Sequence, residues 1–157
     1  MKKTILLIVL YITILMNGYT QNSSEVETKM NLLVQKYENV KGVDCVSVAK
    51  GSGLGLIKTM LNQEFGKNFM KGVTSITIIN YTDASPEVCL ALHKELDSFL
   101  SLLEEFKDKD EKPTDEQEYT RSFARPIDEN TISDFVIAME DKETKMIIYM
   151  AGKIKVE

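Results

Sequence analysis

Two runs near the C-terminus, Thr131 to Glu140 and Lys145 to Ile154, carry apolar side chains on both of their faces. Phe135, Ile137 and Met139 oppose Val136 and Ala138; Met146, Ile148 and Met150 oppose Ile147, Tyr149 and Ala151. Successive residues of a strand point to opposite faces, so such a segment must be covered twice or meet a partner. Only Asp141 to Thr144 separates the two runs. So short a loop cannot make a parallel crossover, and the runs form an antiparallel hairpin. The rest of the chain has to provide its cover, and the first helix is the expected cover for the second face.

Upstream, helix and strand patterns alternate. Ser24 with Glu27 makes a capping-box pattern, and Val26, Met30, Leu33, Val34 and Tyr37 recur at helical spacing, which predicts a helix over residues 25–38. Lys41-Gly42-Val43 then turns into a β-rich run ending at Ala49. The unit recurs: Ile57, Met60, Leu61 and Phe65 mark a second helix, and Lys71-Gly72-Val73 leads into a strand over Ser75 to Tyr81. Ser85-Pro86-Glu87 is a strong helix start, and the stripe Cys89, Leu92, Leu96, Phe99, Leu100 and Leu103 carries a third helix to about Phe106. Residues 107–118 are highly charged and include Pro113, an exposed linker; a strand from Glu118 to Arg125 follows and should stop at Pro126. The expected fold is α+β: a mixed sheet of about five strands with three helices mainly on one face, in the order α-β-α-β-α-β-β-β.

The first twenty residues read as a cleavable signal peptide. Lys2 and Lys3 precede a nearly unbroken apolar run, Ile5 to Met16, and Gly18 and Thr20 supply the small residues of a cleavage site. The run falls short of the roughly 20 residues that span a bilayer. No cysteine follows it to accept a lipid, so no stable membrane anchor is expected after cleavage. The expectation is a periplasmic or secreted product made of one domain, residues 21–157. Losing the two lysines takes the formal charge from −5 to −7, which disfavours nucleic acid as a partner. An apolar content of 43% with 3 prolines argues against disorder.

Tyr37, Gly42-Val43-x-x-Val46 and the closing Gly152-x-Ile154 resemble the exported bacterial proteins grouped as domain of unknown function 4252. The likeness spans nearly the whole mature chain. It implies export and a single α+β domain, and it brings no activity, catalytic residue or cofactor.

Catalytic patterns are weak. His93 is the sole histidine and has no glutamate or second histidine at metal-binding helical spacing. Gly51-Ser52-Gly53-Leu54-Gly55 lacks the Lys-Ser/Thr of a phosphate loop and reads as a connector. The acids of the linker, Asp108, Asp110, Glu111, Asp115 and Glu116, alternate with lysines as a solvated surface does. No metal and no cofactor is expected. Cys45 and Cys89 are too far apart in sequence for a redox motif; after export they either pair as a disulfide or stay as two small buried hydrophobes.

What remains is a surface. Alternation puts Tyr119, Arg121, Phe123 and Arg125 on one face of their strand, and Tyr149 lies on the hairpin. These residue types are enriched in interface cores, which suggests a non-enzymatic binding or accessory domain whose partner is an envelope protein or a second copy. The competing reading is a small exported hydrolase using carboxylates such as Asp83 and Glu87.

Overall fold

The computed structural model describes residues 24–49, 51, 53–106 and 119–156, with the side chains of Glu64 and Tyr119 outside the description. The leader and the charged linker therefore lie outside the described residues. Among those described, no helix is long and apolar enough to cross a membrane.

The chain is α+β, but its elements run α-β-α-α-β-α-β-β-β-β. Helix α1 spans Glu25–Tyr37, strand β1 Asp44–Ala49, helices α2 and α3 Leu54–Phe65 and Lys67–Gly72, and strand β2 Val73–Asn80. Helix α4 spans Pro86–Leu100. Strands β3 to β7 are Glu104–Phe106, Tyr119–Asp128, Thr131–Glu140, Lys145–Gly152 and Ile154–Lys155.

The sheet has seven strands rather than about five, and every pairing is antiparallel rather than mixed. Its order is β1-β2-β6-β5-β4-β3, with β7 beside the start of β5. The β5–β6 hairpin forms as the sequence requires, with Asp141 closing its turn: the Oδ1 accepts from the backbone N–H groups of Glu143 and Thr144 at 2.7 and 2.8 Å.

Helices cover both faces of the sheet, not mainly one. Helices α1 and α4 lie over Val136, Ala138, Ile147, Tyr149 and Ala151, while α2 and α3 lie over Ile137, Met146, Ile148 and Met150. The doubly apolar hairpin explains this, since each face needed its own layer. The first helix covers the face of Val136, Ala138, Ile147, Tyr149 and Ala151. It shares its face with α4, tied by Lys36 and the Tyr37 hydroxyl to the Glu95 carboxylate.

Three boundaries differ for identifiable reasons. Gly66, at φ +81, splits the second helix into α2 and α3. Helix α4 ends at Leu100, so Glu104–Phe106 is free to pair as β3 with Ala124, Phe123 and Ser122. Strand β4 passes through Pro126 because β3 reaches only Ser122 to Ala124; farther along, β4 has no second neighbour among the described residues, and the missing N–H costs no ladder bond.

The two Lys-Gly-Val strings use their glycines differently. Gly42 sits at φ +83 after α1, and a Cβ there would come within 2.2 Å of the Asp83 carbonyl. Gly72 has helical backbone and ends α3; its Cβ would meet the Lys153 carbonyl at 2.0 Å, where β2 crosses the end of β6. The two strings share a sequence and a following strand, not a turn conformation.

Candidate functional site

One buried carboxylate organises the face under α1. Asp134 is 3% exposed and occupies a bulge of β5, where its register with β4 shifts between Phe123 and Arg125. Its φ of 52° is the left-handed region, rare outside glycine and tolerated best by Asn and Asp. The Oδ1 accepts from the Tyr149 hydroxyl at 2.7 Å and from the Ser24 hydroxyl at 2.5 Å. The Oδ2 accepts from the Ser133 hydroxyl at 3.2 Å, and Arg125 Nε stands 3.7 Å away.

Ser24 is also the N-cap of α1: its Oγ accepts from the Glu27 N–H at 3.0 Å. A continuous relay thus runs from the α1 backbone through Ser24 to Asp134 and Tyr149, with the positive end of the helix dipole facing the carboxylate. Glu27 stands in the same first turn. Burial pushes its carboxyl above the ordinary value and the Asp134 charge adds to that, while hydrogen bonds from Ser75 and the Ser24 backbone pull it down. Burial, and then the neighbouring Asp134 charge, drive the Tyr149 phenol well above the usual tyrosine range. The phenol therefore stays protonated and acts as a donor.

The five proposed surface residues separate. Phe123 and Tyr149 are 4% and 1% exposed and face the core under α1 and α4. Arg121 is exposed, ion-paired to Glu105 at 2.9 Å and lying over the Phe123 ring. Arg125 is half-buried and meets Tyr149 at Asp134, so two of the five converge on one acid. Tyr119 belongs to β4 at the register position opposite Glu140.

A second polar group sits under the start of α4. Tyr81, fully buried, hydrogen-bonds through its hydroxyl to His93 Nε2 at 2.9 Å, and Glu140 Oε2 lies 3.2 Å from the same nitrogen. Lys145 Nζ is 3.6 Å from Glu140 and 3.8 Å from the Cys89 sulfur. Lys145 is 56 residues from Cys89 in the chain, so no local motif marks this approach.

Cys45 and Cys89 are free thiols in the same apolar cluster. Burial, with Glu38 and Asp44 nearby, pushes the Cys45 thiol up to about 12. Asp83 and Glu87 are exposed around the start of α4, whereas the Asp134 charge acts on the Glu27 carboxyl. Among the described residues, no three His, Cys, Asp or Glu side chains gather as metal ligands.

The sheet's two ends differ. On one side β3 is three residues long, wholly exposed, and two of its three residues are glutamates. On the other, β1 pairs residue for residue with β2 from Asp44 to Ala49 without a bulge, has no proline or lysine, and carries one charge, at its first position. Short, charged strands protect an edge; a regular, nearly uncharged one offers backbone hydrogen-bonding groups to another strand. Compared with models of known families, with curated proteins and with solved structures, the chain matches none.

Proposed function

We propose that this protein is an exported, non-enzymatic accessory domain that acts through protein contacts, with β1 as the edge that receives a partner strand. The observation that supports the reading is the contrast between the edges: β3 is short and acidic, β1 regular and charged only at Asp44. Strand addition draws affinity from backbone hydrogen bonds and specificity from alternate side chains, here Val46 and Val48 on one face and Cys45, Ser47 and Ala49 on the other. The test compares the exported protein with its Ser47→Arg variant, which places a charge at an exposed edge position. Binding to a polypeptide, whether an envelope protein or another copy, should be lost in the variant while its far-UV spectrum stays unchanged. Equal binding by both contradicts the proposal.

The hydrolase reading has one observation in its favour, the Asp134 charge acting on a raised Glu27 carboxyl. It calls for Glu27 and Asp134 in place of Asp83 and Glu87. A hydrolytic activity abolished by Glu27→Gln would support it; activity unchanged in that variant would remove it.

A further inference from the structure

We propose that Cys89 and Lys145 are a redox pair: a hydroperoxide oxidises the Cys89 thiol to a sulfenic acid, and the Lys145 amine closes on it as a reversible sulfenamide bridge. The inference is independent of the reading of β1 as a docking edge.

The fold sets the pair. Cys89 lies near the start of α4, where its N–H bonds to the Ser85 carbonyl at 3.0 Å. Lys145 opens β6, and its backbone is fixed on both sides: the N–H donates to the Thr82 hydroxyl at 3.0 Å, and the carbonyl accepts from the Tyr81 N–H at 2.9 Å. Across this gap Lys145 Nζ donates to Cys89 Sγ at 3.8 Å, and the sulfur also contacts the Ala84 carbonyl at 3.8 Å. Cys89 is 6% exposed, but the Lys145 and Glu140 side chains are 30% and 22% exposed, so the cluster meets solvent and a small peroxide can reach it.

The two cysteines stand in opposite surroundings. Cys45 has the carboxylates of Glu38 and Asp44 near it, which oppose the thiolate that attacks a peroxide. Cys89 faces an ammonium group. It is the cysteine placed for oxidation.

In the first step the sulfur attacks one oxygen of the hydroperoxide. An S–O bond forms, the O–O bond breaks, and an alcohol leaves, or water where the oxidant is hydrogen peroxide. Sulfur loses two electrons and the peroxide gains them. Lys145 then gives one proton to Glu140 Oε1, 3.6 Å from Nζ, and its flexible stem lets the free amine reach the sulfenyl sulfur. An S–N bond forms, the S–O bond breaks, and the sulfenic hydroxyl leaves with an amine proton as water. Two thiols reverse the bridge, returning the Cys89 thiol and the Lys145 amine as they become a disulfide. Formed, it links α4 to β6 and keeps the sulfenic acid from irreversible oxidation.

The test exposes the reduced, exported chain, with its natural residues and as Cys45→Ala, to dilute hydrogen peroxide and reads a digest by mass spectrometry. Both chains should yield the Cys89 peptide joined to the Lys145 peptide, lighter than their sum by two hydrogens, and dithiothreitol should separate them. Lys145→Arg keeps a cation beside the sulfur without the amine; it should yield no joined peptide, and its Cys89 should carry added oxygen. A Cys45 to Cys89 junction in the natural chain overturns the inference in favour of a disulfide. Cys89 that stays unreacted there, or gains oxygen without joining Lys145, overturns it as well, however Lys145→Arg behaves.

Discussion

The Tyr149 hydroxyl donates a 2.7 Å hydrogen bond to Asp134 Oδ1 at a point where both residues are almost wholly withdrawn from solvent. A buried carboxylate is stable only when hydrogen-bonded, and Asp134 has Tyr149, Ser24 and Ser133 as donors with Arg125 beside them. The cluster ties the first turn of α1, the β5 bulge and β6 together.

Tyr149→Phe removes one donor and leaves the carboxylate buried. The variant should lose about 1–3 kcal/mol of stability, the usual cost of an unmet buried polar group. Urea unfolding at neutral pH measures it; a loss within error of zero would mean that the phenol is not needed there.

The cluster also predicts a pH dependence. Because the folded Glu27 carboxyl is raised above the ordinary 4.5, the folded state holds its proton longer than the unfolded chain does. Stability from this group is therefore full below pH 4.5 and is lost as pH rises through the folded value. Glu95 works in the opposite direction. The hydrogen bond from Lys36 holds its carboxyl below 4.5, so its contribution is present above that value and fades in acid. Glu27→Gln should flatten the decline of stability above pH 4.5 and leave the acid limb as it is. Unfolding midpoints collected across that range test this, and an unchanged slope would contradict it.

Much of the fold was legible because its signals are local. The capping box of Ser24 and Glu27 starts α1, Ser85-Pro86 starts α4, Gly42 takes the left-handed turn, and Asp141 to Thr144 closes the hairpin. The doubly apolar hairpin even required a layer on each face, but which helix supplies which layer depends on packing across the sheet. The Asp134 cluster was hidden for the same reason: Ser24 and Asp134 are 110 residues apart. One signal was present. Asp134 interrupts an apolar strand on the face of Val136 and Ala138, and an acid on a core-facing position demands donors. Gly72 could not be distinguished from Gly42, because its close approach is to Lys153, far along the chain.

That difference can be measured. Gly72→Ala forces a Cβ onto the Lys153 backbone and should cost about 2–3 kcal/mol, an overpacking penalty with nowhere to relax. Gly55→Ala, in the first turn of α2 with nothing within 4 Å, should add about 0.5–1 kcal/mol by restricting the unfolded chain. Thermal melts of the two variants should move in opposite directions; a shared direction would contradict the assignment.

Cys45 should be a slow thiol. With its thiol pushed up to about 12, little thiolate exists at mildly alkaline pH. Alkylation of the folded protein should then be slower than of the unfolded chain by on the order of a hundredfold or more. Iodoacetamide labelling followed by mass spectrometry, with and without urea, reads the ratio. Equal rates would place Cys45 in a more open setting.

The central claim is that β1 is completed by another strand, and amide hydrogen exchange at Cys45 and Ser47 tests it most directly. The outward N–H groups of a bare edge exchange quickly, whereas those bonded to a partner strand are protected. Protection should appear when a partner strand is bound, whether from an envelope protein or from another copy at high concentration, and be absent in Ser47→Arg. Rapid exchange at every concentration, unchanged by envelope proteins, would contradict it.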